Sequence, residues 1–189
     1  MAQQFRIPGA TYALSNTGPL ISAFQSDSFT LLTKIFAEVH ISAVCAAELV
    51  RHGWEAELNA AAPQLKVVKL TSHEEKKALT IASLIAQHSD TNDPIVENHL
   101  GEAQVIVLAQ RPEYRHDLLL LDELAARAIA KQNKVRLSGF PGVLLLTVQT
   151  GLISAAELKN RLEICRIQGT HYGVKFIEQV YEMAKKGRR

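Results

Sequence analysis

The stretch from Gly101 to Arg127, GEAQVIVLAQRPEYRHDLLLLDELAAR, carries two acids in positions where they could do chemistry. Glu102 stands at the start of an apolar run typical of a helix, and Asp122 ends a run of four leucines abruptly. A leucine run bounded by charge predicts a strand that is buried on both faces of a parallel sheet. In open parallel sheets, chemistry takes place just beyond the carboxyl ends of the strands. The two carboxylates therefore indicate a hard metal ion or an acid–base pair.

Two further residues are predicted to reach the same edge of the sheet. Asn16 follows the first predicted strand, and Glu48 lies one to two turns into the helix that follows the second. Carboxylates crowded at one place raise one another's pKa unless a cation neutralises them. All-oxygen ligation suits Mg²⁺ or Mn²⁺. We therefore expect Asn16, Glu48, Glu102 and Asp122 to form a metal site that hydrolyses phosphodiesters through metal-activated water.

Alternating strand-like and helix-like segments must position these residues. Strands are predicted at residues 10–15, 39–41, 65–70, 117–121 and 135–137. Helices are predicted between them, and capping-box patterns open two of these helices, at Ser72 with Glu75 and at Ser154 with Glu157. This order predicts a single α/β domain over residues 1–189, with three layers, α/β/α, around a mainly parallel central sheet. Residues from about 152 to 189 are predicted to form an appended helical hairpin.

Composition excludes several other classes of protein. Hydrophobic residues make up 47% of the 189 residues and the net charge is +2, which argues against disorder and requires no broad basic surface. There is no signal peptide pattern and no apolar run of the ~18 residues that a membrane span needs, so we expect a cytoplasmic protein that does not enter a membrane. Glycine-rich nucleotide loops, a serine-hydrolase elbow and zinc-binding histidine spacings are missing from the sequence.

Four segments together resemble the PIN-domain family. These are SNTGPLI, SAVCAAELV, GEAQVIVLA and LLLLDELAAR, in that order and spacing. The branch that they resemble is related to the toxin halves of VapC-type toxin–antitoxin pairs, and the resemblance covers residues 10–151 and extends to the helices after them. The four acidic positions of the family fall at Asn16, Glu48, Glu102 and Asp122. The resemblance implies a metal-dependent ribonuclease that uses Mg²⁺ or Mn²⁺, forms a homodimer and is silenced by a small cognate antitoxin.

Asn16 departs from the pattern of the family, because an amide stands where the family has its first acid. An amide oxygen can coordinate a cation, but it lacks the negative charge that strengthens metal binding and accepts a proton from water. Two hypotheses follow. The chain is either an active endoribonuclease or a PIN-like module that has lost cleavage and binds RNA or protein.

Four more residues are predicted to contact the substrate. Thr17 lies beside Asn16, and the backbone N–H groups of Ser138 and Gly139 follow the fifth predicted strand, where they could approach a phosphate. Arg127 lies about one turn beyond Asp122. Its guanidinium is expected to contact either the RNA backbone or one of the acids.

Overall fold

The computed structural model describes residues 11–187, and five strands of this part of the chain form one sheet. The strands are β1 (Tyr12–Ser15), β2 (Glu38–Ser42), β3 (Leu65–Val68), β4 (Leu118–Leu120) and β5 (Leu137–Ser138). Their order across the sheet is β3-β2-β1-β4-β5, and every neighbouring pair is parallel. The predicted parallel sheet is confirmed. Residue 10, the first of the predicted first strand, lies outside the described residues.

Helices fill the connections between the strands and the end of the chain. In chain order they are α1 (Thr17–Gln25), α2 (Phe29–Ile35), α3 (Ala43–Arg51), α4 (Glu55–Ala61), α5 (Ser72–Ala86), α6 (Leu100–Leu108), α7 (Leu124–Gln132), α8 (Phe140–Gln149), α9 (Ala155–Ile167) and α10 (Val174–Lys186). Short 3₁₀ turns at Val96–His99 and Pro112–Tyr114 precede α6 and β4.

The sheet lies between two groups of helices. Helices α5, α6 and α7 pack on one another, and α1, α2 and α8 pack together, with α6 contacting β1 and β2 and α2 contacting β2. Right-handed crossovers between parallel strands place these two groups on opposite faces of the sheet. The predicted three-layer α/β/α fold is confirmed.

The C-terminal hairpin of α9 and α10 packs against α8, and α9 also contacts α1. Apolar side chains of the hairpin, such as Leu158, Leu162 and Ile177, are fully buried and belong to the same hydrophobic cluster as the strands. Arg161 on α9 donates to the carbonyl oxygens of Ser26 and Asp27 after α1, at 2.7 and 3.0 Å. The hairpin is therefore joined to the rest of the core through both apolar packing and hydrogen bonds.

One of the two predicted capping boxes is correct and the other is shifted by one residue. Ser154 accepts the N–H of Glu157 at 3.1 Å, as predicted. At α5, Thr71 caps the helix and Glu74 completes the box, whereas the sequence prediction gave Ser72 and Glu75. Two hydroxyl residues followed by two glutamates fit the pattern in either register. The guanidinium of Arg111, which binds both oxygens of Glu74 at 2.7 and 2.8 Å, favours the observed register.

The predictions around β5 and α8 also required correction. The strand was predicted at residues 135–137, but the N–H of Val135 donates to the carbonyl of Ala130 at 3.1 Å and keeps this residue in the turn that ends α7. Residues 138–142, SGFPG, carry the residue types of a turn and are predicted as one from the sequence, but helix α8 already begins at Phe140. Pro141 is compatible with this start, because the first turn of a helix does not need its N–H.

None of the helices in residues 11–187 has the length and apolar character required to cross a bilayer.

Candidate active site

Two adjacent parallel strands bring Asn16 and Asp122 to the same edge of the sheet. Ser15 at the end of β1 pairs with Leu120 at the end of β4, and the N–H of Asn16 donates to the carbonyl of Leu120 at 3.3 Å. Asn16 is the N-cap residue of α1, and Asp122 is the second residue after β4. Asn16 and Asp122 therefore both lie at the carboxyl edge of the sheet, as predicted from the leucine run.

Asn16 binds Glu102, which lies in the first turn of α6. The amide nitrogen Nδ2 of Asn16 donates to Oε1 of Glu102 at 3.1 Å. Asn16 is only 4% exposed, and its Oδ1 is buried without a hydrogen-bond partner among the described residues. Buried acceptors normally have a partner, and leaving one unpaired costs about 1–3 kcal/mol. The oxygen of Asn16 is thus available to a ligand.

Glu48 reaches the same place from α3, which starts where Ser42 accepts the N–H of Cys45 at 3.2 Å. The hydroxyl of Thr17 donates to Oε2 of Glu48. Helix α6 lies close against this carboxylate at Gly101, where a Cβ atom would be 3.1 Å from each of the two Glu48 oxygens. Glycine at position 101 therefore permits the close approach that sets Glu48 beside Glu102.

The electrostatics of Glu102 reflect this crowding. Burial raises the pKa of Glu102, and the negative charge of Glu48 raises it further, while the Asn16 amide lowers it. Two neighbouring carboxylates and an unpartnered amide oxygen form an acceptor-rich group that a divalent cation would neutralise. Asn16, Glu48 and Glu102 therefore fit a hard cation of the Mg²⁺ or Mn²⁺ type.

Asp122 makes a separate set of contacts. Its Oδ1 accepts the N–H of Phe140 at 3.0 Å, and its Oδ2 accepts the hydroxyl of Tyr172 at 2.9 Å. Burial raises the pKa of Asp122, although these two donors and the charge of Arg127 lower it. Asp122 is therefore held by two neutral donors, one from the start of α8 and one from the C-terminal hairpin.

Of the four predicted site residues, the structure brings Asn16, Glu48 and Glu102 into one group. Asp122 lies at the same edge but has no hydrogen bond to Glu48 or Glu102. Across residues 11–187, no group of three or more His, Cys, Asp or Glu side chains is arranged to hold a metal ion. A cation in the group would thus have two carboxylates and the Asn16 amide oxygen as its donors.

Tyr172 is a site residue that the sequence analysis missed. It lies in the loop between α9 and α10, its hydroxyl is 3.2 Å from Oγ of Ser22, and its ring stacks on Phe176 with a centroid distance of 5.9 Å. The residue comes from a short polar loop that shows no periodicity, and it is 50 positions from Asp122 in the sequence. No pattern in the sequence links the two.

The residues predicted to contact substrate lie around this edge. Thr17 binds Glu48, and one guanidinium nitrogen of Arg127 donates to the carbonyl of Leu121 at 2.6 Å. Ser138 donates to the carbonyl of Gly139 at 3.3 Å. Gly139 lies directly against Asp122, because a Cβ atom there would be 2.3 Å from Oδ1 of the acid. Contact of these four residues with RNA remains a prediction.

Comparison with known proteins agrees with this arrangement. The profile of the family DUF3368, described as a PIN domain, matches residues 12–186, which is nearly the whole chain. A search of curated proteins gave no significant match. The match covers all five strands and the residues of the acidic edge. With its parallel sheet and its acidic carboxyl edge, this chain belongs to the PIN-domain family, a group of nuclease-type folds.

Proposed function

We propose that the chain is a metal-dependent endoribonuclease that hydrolyses RNA phosphodiester bonds. The observation that carries this proposal is the buried, unpartnered Oδ1 of Asn16 beside the carboxylates of Glu48 and Glu102. A purely structural asparagine would satisfy its oxygen within the protein. PIN domains are generally nucleases, which supports the same conclusion.

Asn16, Glu48 and Glu102 would hold the Mg²⁺ or Mn²⁺ ion, with Asp122 as the fourth residue of the edge. When bound, such a cation lowers the pKa of a coordinated water and neutralises charge on the attacked phosphate. The two hydrogen bonds that Asp122 accepts hold its carboxylate in one orientation at the edge. Asp122 would thereby orient the water or the substrate.

Hydrolysis requires that a water oxygen bonds to phosphorus, that a P–O bond to the leaving ribose oxygen breaks, and that the water loses a proton. One of the carboxylates at the edge would accept this proton as the general base. The amide of Asn16 donates to Oε1 of Glu102 at 3.1 Å, which orients this carboxylate. The leaving oxygen takes its proton from solvent.

The proposal includes a biological setting. The chain would act in the cytoplasm as the toxin of a type II toxin–antitoxin pair, as a homodimer held silent by a small cognate antitoxin. The support for this setting is the resemblance of the four motif segments to VapC-type toxins. An antitoxin-like reading frame next to the gene would support it further.

A second function is favoured by one specific observation. The first acidic position of the family is an amide here, and its Nδ2 already donates to Glu102. In this alternative the site binds the cation weakly and does not cleave, and the chain serves as an RNA- or protein-binding module. The substitution Asn16→Asp would restore the missing charge.

Incubation of a labelled single-stranded RNA with the protein and Mn²⁺, with and without a chelator, tests the proposal. We expect metal-dependent cleavage that is lost in Glu102→Gln and in Asp122→Asn. A matched control is Asp90→Asn, which changes an exposed acid on the loop after α5 by the same chemistry.

Each result of this experiment has a defined meaning. Cleavage by the wild-type protein and by the control, but not by the two site variants, supports the nuclease. RNA binding without cleavage, with cleavage gained in Asn16→Asp, supports the weakened module instead. Cleavage that persists in Glu102→Gln would refute the site proposed here.

A further inference from the structure

The edge of the sheet opposite the acidic site contains a basic cavity. This cavity of about 370 Å³ is lined by residues that precede β4 and β5, and its charged side chains are four cations and one acid: Arg111, Arg115, Lys134, Arg136 and Asp117. The chain as a whole has a net charge of only +2. Four of the 21 Lys and Arg residues of the chain therefore line this one cavity.

Acids of the protein compensate part of the positive charge of the cavity, since Arg111 lies near Glu74 and Glu113, and Asp117 also lines the cavity. Arg111 is neutralised, because both oxygens of Glu74 accept its hydrogen bonds. The acid Asp117 is engaged by the backbone N–H groups at the start of β1, at 2.6 and 2.9 Å. Arg115 and Lys134 are exposed, and their side chains have no hydrogen bond or ion pair with any residue in the described part of the chain. These two side chains can therefore bind an anion.

Helix α7 connects this cavity to the acidic site. The helix begins at the carboxyl end of β4 and ends at the amino end of β5, so it runs from one edge of the sheet to the other. Arg127 in its second turn and the exposed Lys131 are four residues apart and share a helix face. With Lys134, Arg136 and Arg115 they form a series of cations that we call the basic track.

Lys134 adopts a backbone conformation that usually requires glycine. Its φ is +58°, and it lies just after the end of α7, where glycine is the common residue. Residues in left-handed conformations other than glycine and asparagine cluster at functional positions. The turn that ends α7 therefore has a cationic residue at the position where glycine is common.

We propose that the basic track binds the phosphate backbone of single-stranded RNA and guides the strand from the acidic site to the basic cavity. The inference rests on the proposed function. Spaced cations match the repeated charges of a nucleic acid backbone. The acidic site and the basic cavity are also close together beside β5. The residues from Lys134 to Ser138, which connect the two edges of the sheet, span roughly 13 Å at about 3.3 Å per residue.

Binding of a short, labelled single-stranded RNA, measured by fluorescence anisotropy over a series of salt concentrations, tests this inference. A chelator is present throughout, so that cleavage does not interfere. The test variant combines Arg115→Gln, Lys131→Gln and Lys134→Gln, which removes three exposed cations. Arg136 is retained, because its guanidinium donates to the carbonyl of His116. The control variant removes the same charge from exposed lysines on other helices, Lys34, Lys175 and Lys186, each changed to Gln.

For single strands, each phosphate contact contributes about 0.7 to the slope of log K against log salt. We expect the slope of the test variant to be smaller than that of the wild type by about 2, and the slope of the control to be unchanged. Equal slopes in the test and control variants would overturn the inference. Poly-glutamate binding that is lost in the test variant while RNA binding is unaffected would also overturn it, and would identify an acidic partner instead.

The two proposals can fail separately. A wild-type protein that cleaves RNA while the test variant keeps the full slope leaves the nuclease standing and rejects the basic track. A wild-type protein that neither binds nor cleaves RNA rejects both.

Discussion

The substitution Tyr172→Phe isolates the contact between the C-terminal hairpin and the acidic edge. It removes only the hydroxyl, which donates to Oδ2 of Asp122 at 2.9 Å and lies 3.2 Å from Oγ of the fully buried Ser22. The ring and its stacking on Phe176 are retained. The variant therefore measures the hydrogen bonds alone.

The expected cost follows from these two contacts. A hydrogen bond to a charged group contributes about 1.5–3 kcal/mol, and one between neutral groups about 0.5–1.5 kcal/mol. Asp122 keeps its second donor, the N–H of Phe140, which limits the loss. We expect the free energy of unfolding to fall by about 2–3 kcal/mol where Asp122 is ionised. For a chain of this size that corresponds to a decrease in Tm of roughly 4–12 °C.

The loss of unfolding free energy in Tyr172→Phe must also depend on pH. Burial raises the pKa of Asp122, so the folded protein retains a proton that the unfolded chain releases, and stability falls as the pH rises from the ordinary value of aspartate through the folded pKa. The hydroxyl of Tyr172 opposes this shift. Without it the pKa of Asp122 rises further, and the difference in stability between variant and wild type grows with pH. The difference is smallest at acidic pH, where Asp122 is protonated in both states.

Urea unfolding of both proteins over a series of pH values is the assay. The matched control is Tyr181→Phe, because the ring of Tyr181 lies 5.1 Å from the Nζ atoms of Lys159 and Lys185 but its hydroxyl makes no hydrogen bond with a described residue. The control should change stability by less than about 0.5 kcal/mol at every pH. If Tyr172→Phe changes stability no more than this control does, or by an amount that does not vary with pH, the hydroxyl of Tyr172 does not stabilise ionised Asp122.

Two further predictions concern the packing and the charge of the site. In Gly139→Ala the new Cβ would be 2.3 Å from Oδ1 of Asp122, so the acid must give up the backbone N–H that it accepts; urea unfolding should show a loss of about 1–3 kcal/mol. Gly18→Ala, whose Cβ meets nothing within 4 Å, should instead stabilise helix α1 by about 0.5–1 kcal/mol, and equal effects of the two substitutions would contradict the prediction. The second prediction concerns Glu102→Gln. In the wild type, burial and the neighbouring carboxylate of Glu48 raise the pKa of Glu102. Without metal, the stability of the wild type should therefore fall as the pH rises from the ordinary range of glutamate. Glu102→Gln should show a flatter profile of Tm against pH and a higher Tm at neutral pH. A profile as steep as that of the wild type would count against this prediction.

The sequence was sufficient to predict the parallel sheet and the edge at which Asn16 and Asp122 lie. Leu119 and Leu120 are fully buried, as a strand covered on both faces requires, and this burial is why an apolar run was a reliable signal. Parallel strands share their carboxyl edge, so the positions of Asn16 and Asp122 followed from the order of the elements. Glu102 was placed correctly for the same reason, since its helix begins at that edge.

The contacts that orient the acids could not be predicted from local patterns. Asp122 is held by Tyr172, which comes from a loop distant in sequence, and by a backbone N–H at the start of α8. The capping register at α5 depended on Arg111, 37 residues from its partner Glu74. Such tertiary contacts choose among several locally equivalent arrangements, and a single sequence does not encode that choice in its periodicity.

Calorimetric titration with Mn²⁺ measures whether the oxygens of Asn16, Glu48 and Glu102 form one cation site. We expect the wild-type protein to bind Mn²⁺, Glu102→Gln to weaken this binding by at least about tenfold, and Asn16→Asp to strengthen it by adding negative charge. Equal Mn²⁺ affinity in all three proteins, or no binding by any of them, would contradict this expectation.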